Sequence, residues 1–112
     1  MNAKAQTLLW FAQRASAAVL ALCVFVHLAT MIYAVRGGLT AAEILSRTQG
    51  NAAWLAFYTV FVLAVTAHVP IGLRAVLGEW FGWRSAGRDW ALVLFALLLG
   101  FMGMRAVLGV FL

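Results

Sequence analysis

Apolar and polar positions divide the chain into three long apolar runs joined by two short polar stretches. No Asp, Glu, Lys or Arg interrupts the 21 residues between Arg14 and Arg36 or the 26 between Arg47 and Arg74. After Asp89 only Arg105 breaks the run to Leu112. A helix needs about 20 apolar residues to cross a hydrocarbon layer of ~30 Å, and each run meets that length. The pattern predicts an all-α fold, a three-helix transmembrane bundle with helices over about 8–35, 52–77 and 89–112, forming one transmembrane domain over 1–112. The first run exceeds the core of a signal peptide and no clear small-residue cleavage site follows it, so it is read as a retained span.

The faces of these helices differ. At helical spacing Ser16, Leu20, Cys23, His27 and Thr30 form one stripe that holds nearly every polar atom of the first span, so this stripe is expected against protein or cofactor rather than lipid. Trp10 and Tyr33 mark its two interfaces. The first connection contains Thr40-Ala41-Ala42-Glu43, a capping-box pattern that predicts a short surface helix through Leu45. On the second span Ala64, Gly72 and Ala75 surround His68 with small residues. They suit either a bulky group lying flat or a close helix contact. Pro70 removes one backbone hydrogen bond and predicts a kink beside His68. The third span carries Ala96, Gly100 and Gly103 as a small-residue edge and reads as structural, with Arg105 snorkelling outward.

Composition strengthens the membrane reading: 66% of the 112 residues are hydrophobic and 10% charged, more apolar surface than a soluble domain of this size could bury. The net charge of +5 does not indicate nucleic acid, because the basic residues sit between and beside the apolar runs, where they orient the chain. Lys4, Arg14, Arg74, Arg84 and Arg88 fall on one side and Arg36 and Arg47 on the other, which predicts a cytoplasmic N-terminus in a multi-pass protein of the inner (cytoplasmic) membrane. The single cysteine, Cys23, lies mid-helix and is read as packing.

The chemistry rests on two intramembrane histidines, since an ionisable ring in hydrocarbon is costly unless it is coordinated or hydrogen-bonded. A neutral imidazole is a natural axial ligand for haem iron, so His68 and His27 are the candidate haem b ligands. Arg74, about 9 Å along the helix from His68, is the candidate partner of a haem propionate, whereas His27 has no comparable basic neighbour in the sequence. Counted from the helix midpoints, the two histidines differ in depth by about 10 Å, which favours two haems, each shared with a histidine of another chain, over one haem held by both. Phosphate-cradling glycine loops, Cys/His zinc patterns, Ser/His/Asp sets and intramembrane carboxylates are all missing from the sequence, which argues against hydrolysis or phosphoryl transfer.

These residues resemble the cytochrome b membrane-anchor subunits of the succinate dehydrogenase and fumarate reductase family. Gln13-Arg14-Ala15-Ser16-Ala17 is similar to that family's His/Gln-Arg-x-Ser/Thr-Gly segment at the start of the first span. His68-Val69-Pro70-Ile71-Gly72-Leu73-Arg74-Ala75-Val76-Leu77-Gly78-Glu79 is similar to its His-x-x-x-Gly-x-x-x-x-Leu-x-Asp segment and matches its haem ligand at His68. Trp10 and Ala17 depart from the pattern, standing where some members carry Ser and Gly. The resemblance implies one or two b haems, and His27 looks like the two-haem branch. It also implies a quinone site formed by Arg14, Ser16 and Trp80, with an iron–sulfur subunit, a flavoprotein subunit and a second membrane-anchor chain as partners beside the membrane lipid. The chain would then be a non-catalytic subunit of an oxidoreductase complex, passing electrons between the iron–sulfur subunit and quinone. Two other readings fit the same residues: a haem-free structural or assembly subunit, and a small cytochrome b of another quinone-linked dehydrogenase.

Overall fold

The computed structural model describes residues 2–112 as four helices: α1 (Ala3–Gly37), α2 (Ala41–Thr48), α3 (Ala52–Phe81) and α4 (Ala86–Phe111). α1, α3 and α4 are each long and apolar enough to cross a membrane. Their long dimension of 49 Å matches a bilayer with its headgroup layers, about 40–45 Å.

α1 extends beyond the expected span at both ends, α3 starts where expected but ends later, and α4 starts earlier; at α1 a side-chain cap rather than apolar content sets the start. The Asn2 side chain accepts from Ala5 N at 2.8 Å and starts α1 well before the first apolar residues. Asn51 caps the start of α3, accepting from Ala53 N and Trp54 N. α3 ends at Gly82, which takes the left-handed conformation. Around α2 the expected capping box is present in both directions, with Glu43 N donating to Thr40 Oγ1 and Thr40 N donating to the Glu43 carboxylate. α3 continues as helix through Pro70.

α3 is the central element, packed against α1 on one side and α4 on the other. The α3–α4 contact uses the small-residue edge. A Cβ on Gly103 would stand 2.7 Å from Val62 Cγ1, and one on Gly100 would stand 3.6 Å from Thr66 Cγ2. In lipid this close backbone approach supplies the van der Waals contact that a hydrophobic driving force supplies in water. α4 is also held at its far end. Thr48 Oγ1 donates to Val110 O at 2.9 Å, Gln49 Nε2 to Leu112 O at 2.6 Å and Gly50 N to Phe111 O at 2.8 Å. These three donors satisfy carbonyls that the end of a helix leaves without intrahelical partners.

The buried apolar core is thin, namely Cys23, Ala34, Ala64, Leu92 and Val107, and large side chains such as Leu22, Phe25 and Phe101 point outward. The stripe expected on α1 does face inward: Ser16 and Cys23 are buried, and Leu20, His27 and Thr30 are partly so.

Replacing Gly103 by Leu is expected to force α4 away from Val62 and to cost about 1–3 kcal/mol, with Gly109→Leu, where nothing lies near, as the control. Unfolding in graded denaturing detergent, followed by circular dichroism, checks this. Equal stability of the two variants would show that the α3–α4 contact is not set at Gly103.

Candidate functional site

His68 lies at a contact between α1 and α3. Gly72, one turn beyond His68 on the same face of α3, leaves room for Gln13 of α1, whose Nε2 would be 3.2 Å from a Cβ at that position. Gln13 in turn brings Ser16, one turn further along α1, level with His68. Ser16 is 8% exposed, and its Oγ stands 3.3 Å from His68 Nδ1 and 3.1 Å from the Gln13 carbonyl. Among the described residues Ser16 is the hydrogen-bond partner of His68. Small residues around His68 therefore serve helix contact at Gly72.

His27 occupies a different level. Eleven residues of helix separate it from Ser16, which places it about 16 Å deeper along α1, more than the sequence count indicated. Its ring is met edge-to-face by Tyr58 at 6.0 Å and Phe61 at 5.8 Å, and Trp54 stacks on Tyr58 at 5.7 Å. Its Nδ1 is buried and has no hydrogen-bond partner among the described residues. A cleft of about 1010 Å³ opens beside the ring, bounded by α1, α2 and α3 and lined by Thr30, Tyr33, Arg47, Trp54 and Tyr58 among others. That volume is at the upper end for small-molecule and cofactor sites. Arg47, on α2, has its guanidinium over the Tyr33 ring at 5.5 Å and donates to Gly38 O at 3.2 Å. His27 thus does have a cation on its cleft, supplied by the first connection.

The other residues singled out by sequence are dispersed. Arg74 stands six residues from His68, which turns it about 120° around α3, and it faces α4. There its Nε is 3.3 Å from Asp89 Oδ1, and the same oxygen accepts from Arg88 Nε at 3.0 Å. The Arg88 side chain is only 7% exposed, so the Asp89 carboxylate neutralises a guanidinium that would otherwise be buried alone. A smaller cleft of about 230 Å³ lies next to this pair, lined by Leu9, Pro70, Ile71 and Leu92. Arg14 is exposed, with its guanidinium over the Trp10 ring at 5.4 Å. Trp80 is exposed and lies twelve residues beyond His68, about 18 Å along the helix from the level of Ser16. Ser16 and Trp80 are therefore not brought together, and the Ser16 hydroxyl is engaged between Gln13 and His68.

Two contributors were missed by sequence reasoning. Trp54, Phe57, Tyr58 and Phe61 lie at i, i+3, i+4 and i+7 on α3, a spacing legible in the sequence as a single aromatic face. Arg47 carried no such signal, because its position depends on how the α2 segment folds back over the bundle.

The chemical capacity of these groups is limited and specific. Among the described residues no three His, Cys, Asp or Glu side chains gather closely enough to hold a bare metal ion. A macrocyclic iron cofactor asks far less of the protein, one nitrogen per face of the ring. Each histidine offers that: His68 has one nitrogen engaged by Ser16, and His27 has a buried nitrogen without a partner beside a roomy cleft. The residues present fit such a group.

No curated protein and no solved structure matched the chain. A family model did, over residues 1–105, and its description is the succinate dehydrogenase/fumarate reductase transmembrane subunit. With three apolar helices, a polar stripe turned inward and a match over nearly its whole length, this multi-pass membrane chain belongs to the succinate dehydrogenase/fumarate reductase transmembrane subunit family.

Proposed function

We propose that the chain is the haem b-binding anchor and electron-transfer subunit of a succinate dehydrogenase- or fumarate reductase-type complex. Family membership supplies the complex, and one observation carries the cofactor. Two half-buried histidines, about 16 Å apart in depth, each present an imidazole whose hydrogen bonding within the chain is incomplete. The two axial nitrogens of one iron are separated by about two metal–nitrogen bonds, roughly 4 Å. His68 and His27 would therefore hold separate haems, each shared with a second membrane-anchor chain.

Bound haem would supply a one-electron carrier at each depth. The chain's own residues bind and orient it. Arg47 would neutralise a propionate on the His27 side, and Arg74, the arginine nearest His68 along α3, would turn from Asp89 to serve the other. The aromatic face of α3 and the aliphatic lining of the spans keep water from the ring. With the N-terminus cytoplasmic in the inner membrane, the iron–sulfur and flavoprotein subunits dock at the end that carries Arg14, Glu79 and Trp80. Quinone meets the exposed Trp80 ring there, an aromatic wall for its head group.

A second reading has an observation in its favour. The edge-to-face contacts of Tyr58 and Phe61 hold the His27 ring as a packing group would, so a haem-free anchor accounts for that histidine as well.

The reduced-minus-oxidised absorption spectrum of the complex purified from membranes separates the two readings. A b-type spectrum is expected, and His68→Ala and His27→Ala should each remove one haem equivalent by pyridine haemochrome assay. Full haem content in either variant would return that histidine to helix packing. Trp80→Leu should slow quinone-coupled turnover about fivefold, the loss of roughly 1 kcal/mol of aromatic contact. Its turnover with a soluble artificial acceptor and its haem spectrum should stay unchanged. Unaltered quinone kinetics would leave Trp80 as an interfacial anchor.

A further inference from the structure

We infer that Ser16 is a positioning residue for His68, fixing its imidazole as the Nδ1–H tautomer and leaving Nε2 to donate to iron. The inference rests on the haem reading above and concerns how this chain prepares its ligand.

The argument is one of proton count. The Ser16 hydroxyl has a single hydrogen and two neighbours within reach, the Gln13 carbonyl at 3.1 Å and His68 Nδ1 at 3.3 Å. A carbonyl oxygen can only accept, whereas an imidazole nitrogen donates or accepts according to its tautomer. If Ser16 donated to His68, its approach to the Gln13 carbonyl would be two acceptors facing each other. Both contacts are hydrogen bonds in one arrangement only: Ser16 Oγ–H donates to Gln13 O, and His68 Nδ1–H donates to Ser16 Oγ. The lone pair of the neutral ring then resides on Nε2, directed away from α1.

The surroundings hold this arrangement in place. Gln13 is fixed against Gly72, Ser16 is buried at 8% exposure, and the i−3 carbonyl that orients its hydroxyl is part of the same helix. Metal-bound histidines generally donate their second N–H to an acceptor that sets the tautomer and the ring rotation. A hydroxyl that is itself donating elsewhere is a weaker acceptor than a carboxylate, so its main effect is on orientation and tautomer, with a smaller one on ligand basicity.

The test uses Ser16→Ala and Ser16→Thr, the second keeping the hydroxyl. The chain holds just two histidines, so ¹⁵N-histidine NMR of the full haem-free chain in detergent resolves both tautomers, and His68→Ala assigns the signals. Parent and Ser16→Thr are expected to show His68 protonated at Nδ1, and Ser16→Ala a mixture. In the purified complex Ser16→Ala should weaken haem retention at His68 about 10–100-fold. It should also raise that haem's midpoint potential, because an imidazole without its acceptor donates less to ferric iron. Ser16→Thr should restore both, and the His27 haem should keep its potential throughout. His68 protonated at Nε2 in the parent overturns the inference, as does a complex in which Ser16→Ala leaves tautomer, retention and potential unmoved. Absence of haem from the parent complex overturns the haem reading and the positioning role together, a result distinct from haem present but indifferent to Ser16.

Discussion

The hydroxyl–imidazole contact between Ser16 and His68 ties the packing of this chain to its chemistry. An unsatisfied polar atom in hydrocarbon costs several kcal/mol, so a histidine in the middle of an apolar helix dictates what its neighbours must be. α1 comes close enough to answer that demand because Gly72 has no side chain and Gln13 fills the space. Helix register, the burial of Ser16 and the presentation of the ring thus follow from one small gap between two helices. The second histidine illustrates the other solution. His27 is surrounded by aromatic edges, and its buried Nδ1 has no partner among the described residues.

Opposing requirements are met on the two faces of α3. Towards α4, contact is made mainly by shape, glycine against Val62 and Thr66, with charges gathered where the helices turn, around Asp89. Towards α1, contact is made by polar side chains. The face towards α4 is thus packed mainly by shape, and the face towards α1 carries the Ser16–His68 contact and the His27 ring.

Much of this was legible in the sequence, and the part that was not has a common physical origin. Span number and the α2 capping box could be read because they depend on local properties: run length, and a Thr and Glu three residues apart. The inward stripe of α1 and the small-residue edge of α4 were legible for the same reason, since each lies on a single helix. What depends on the register between helices was not. Ser16 was read as a quinone contact from its place beside Arg14 and the interface, and the contact of its hydroxyl with a residue fifty-two positions away was not legible. Arg74 was read by its axial distance from His68, and the rotation of the helix carries it towards α4. Arg47 belongs to a connection, and no periodicity reports where a connection folds.

The tie between the first connection and the far end of α4 has a consequence for biogenesis. Thr48, Gln49 and Gly50 can donate to the carbonyls of residues 110–112 only once the last helix is in the membrane. Until then α2 lacks its tie to α4, and Arg47 is held from the α1 side, over Tyr33 and against the Gly38 carbonyl. The wall of the His27 cleft that α2 provides is therefore encoded in the first half of the chain but tied down by its last residues.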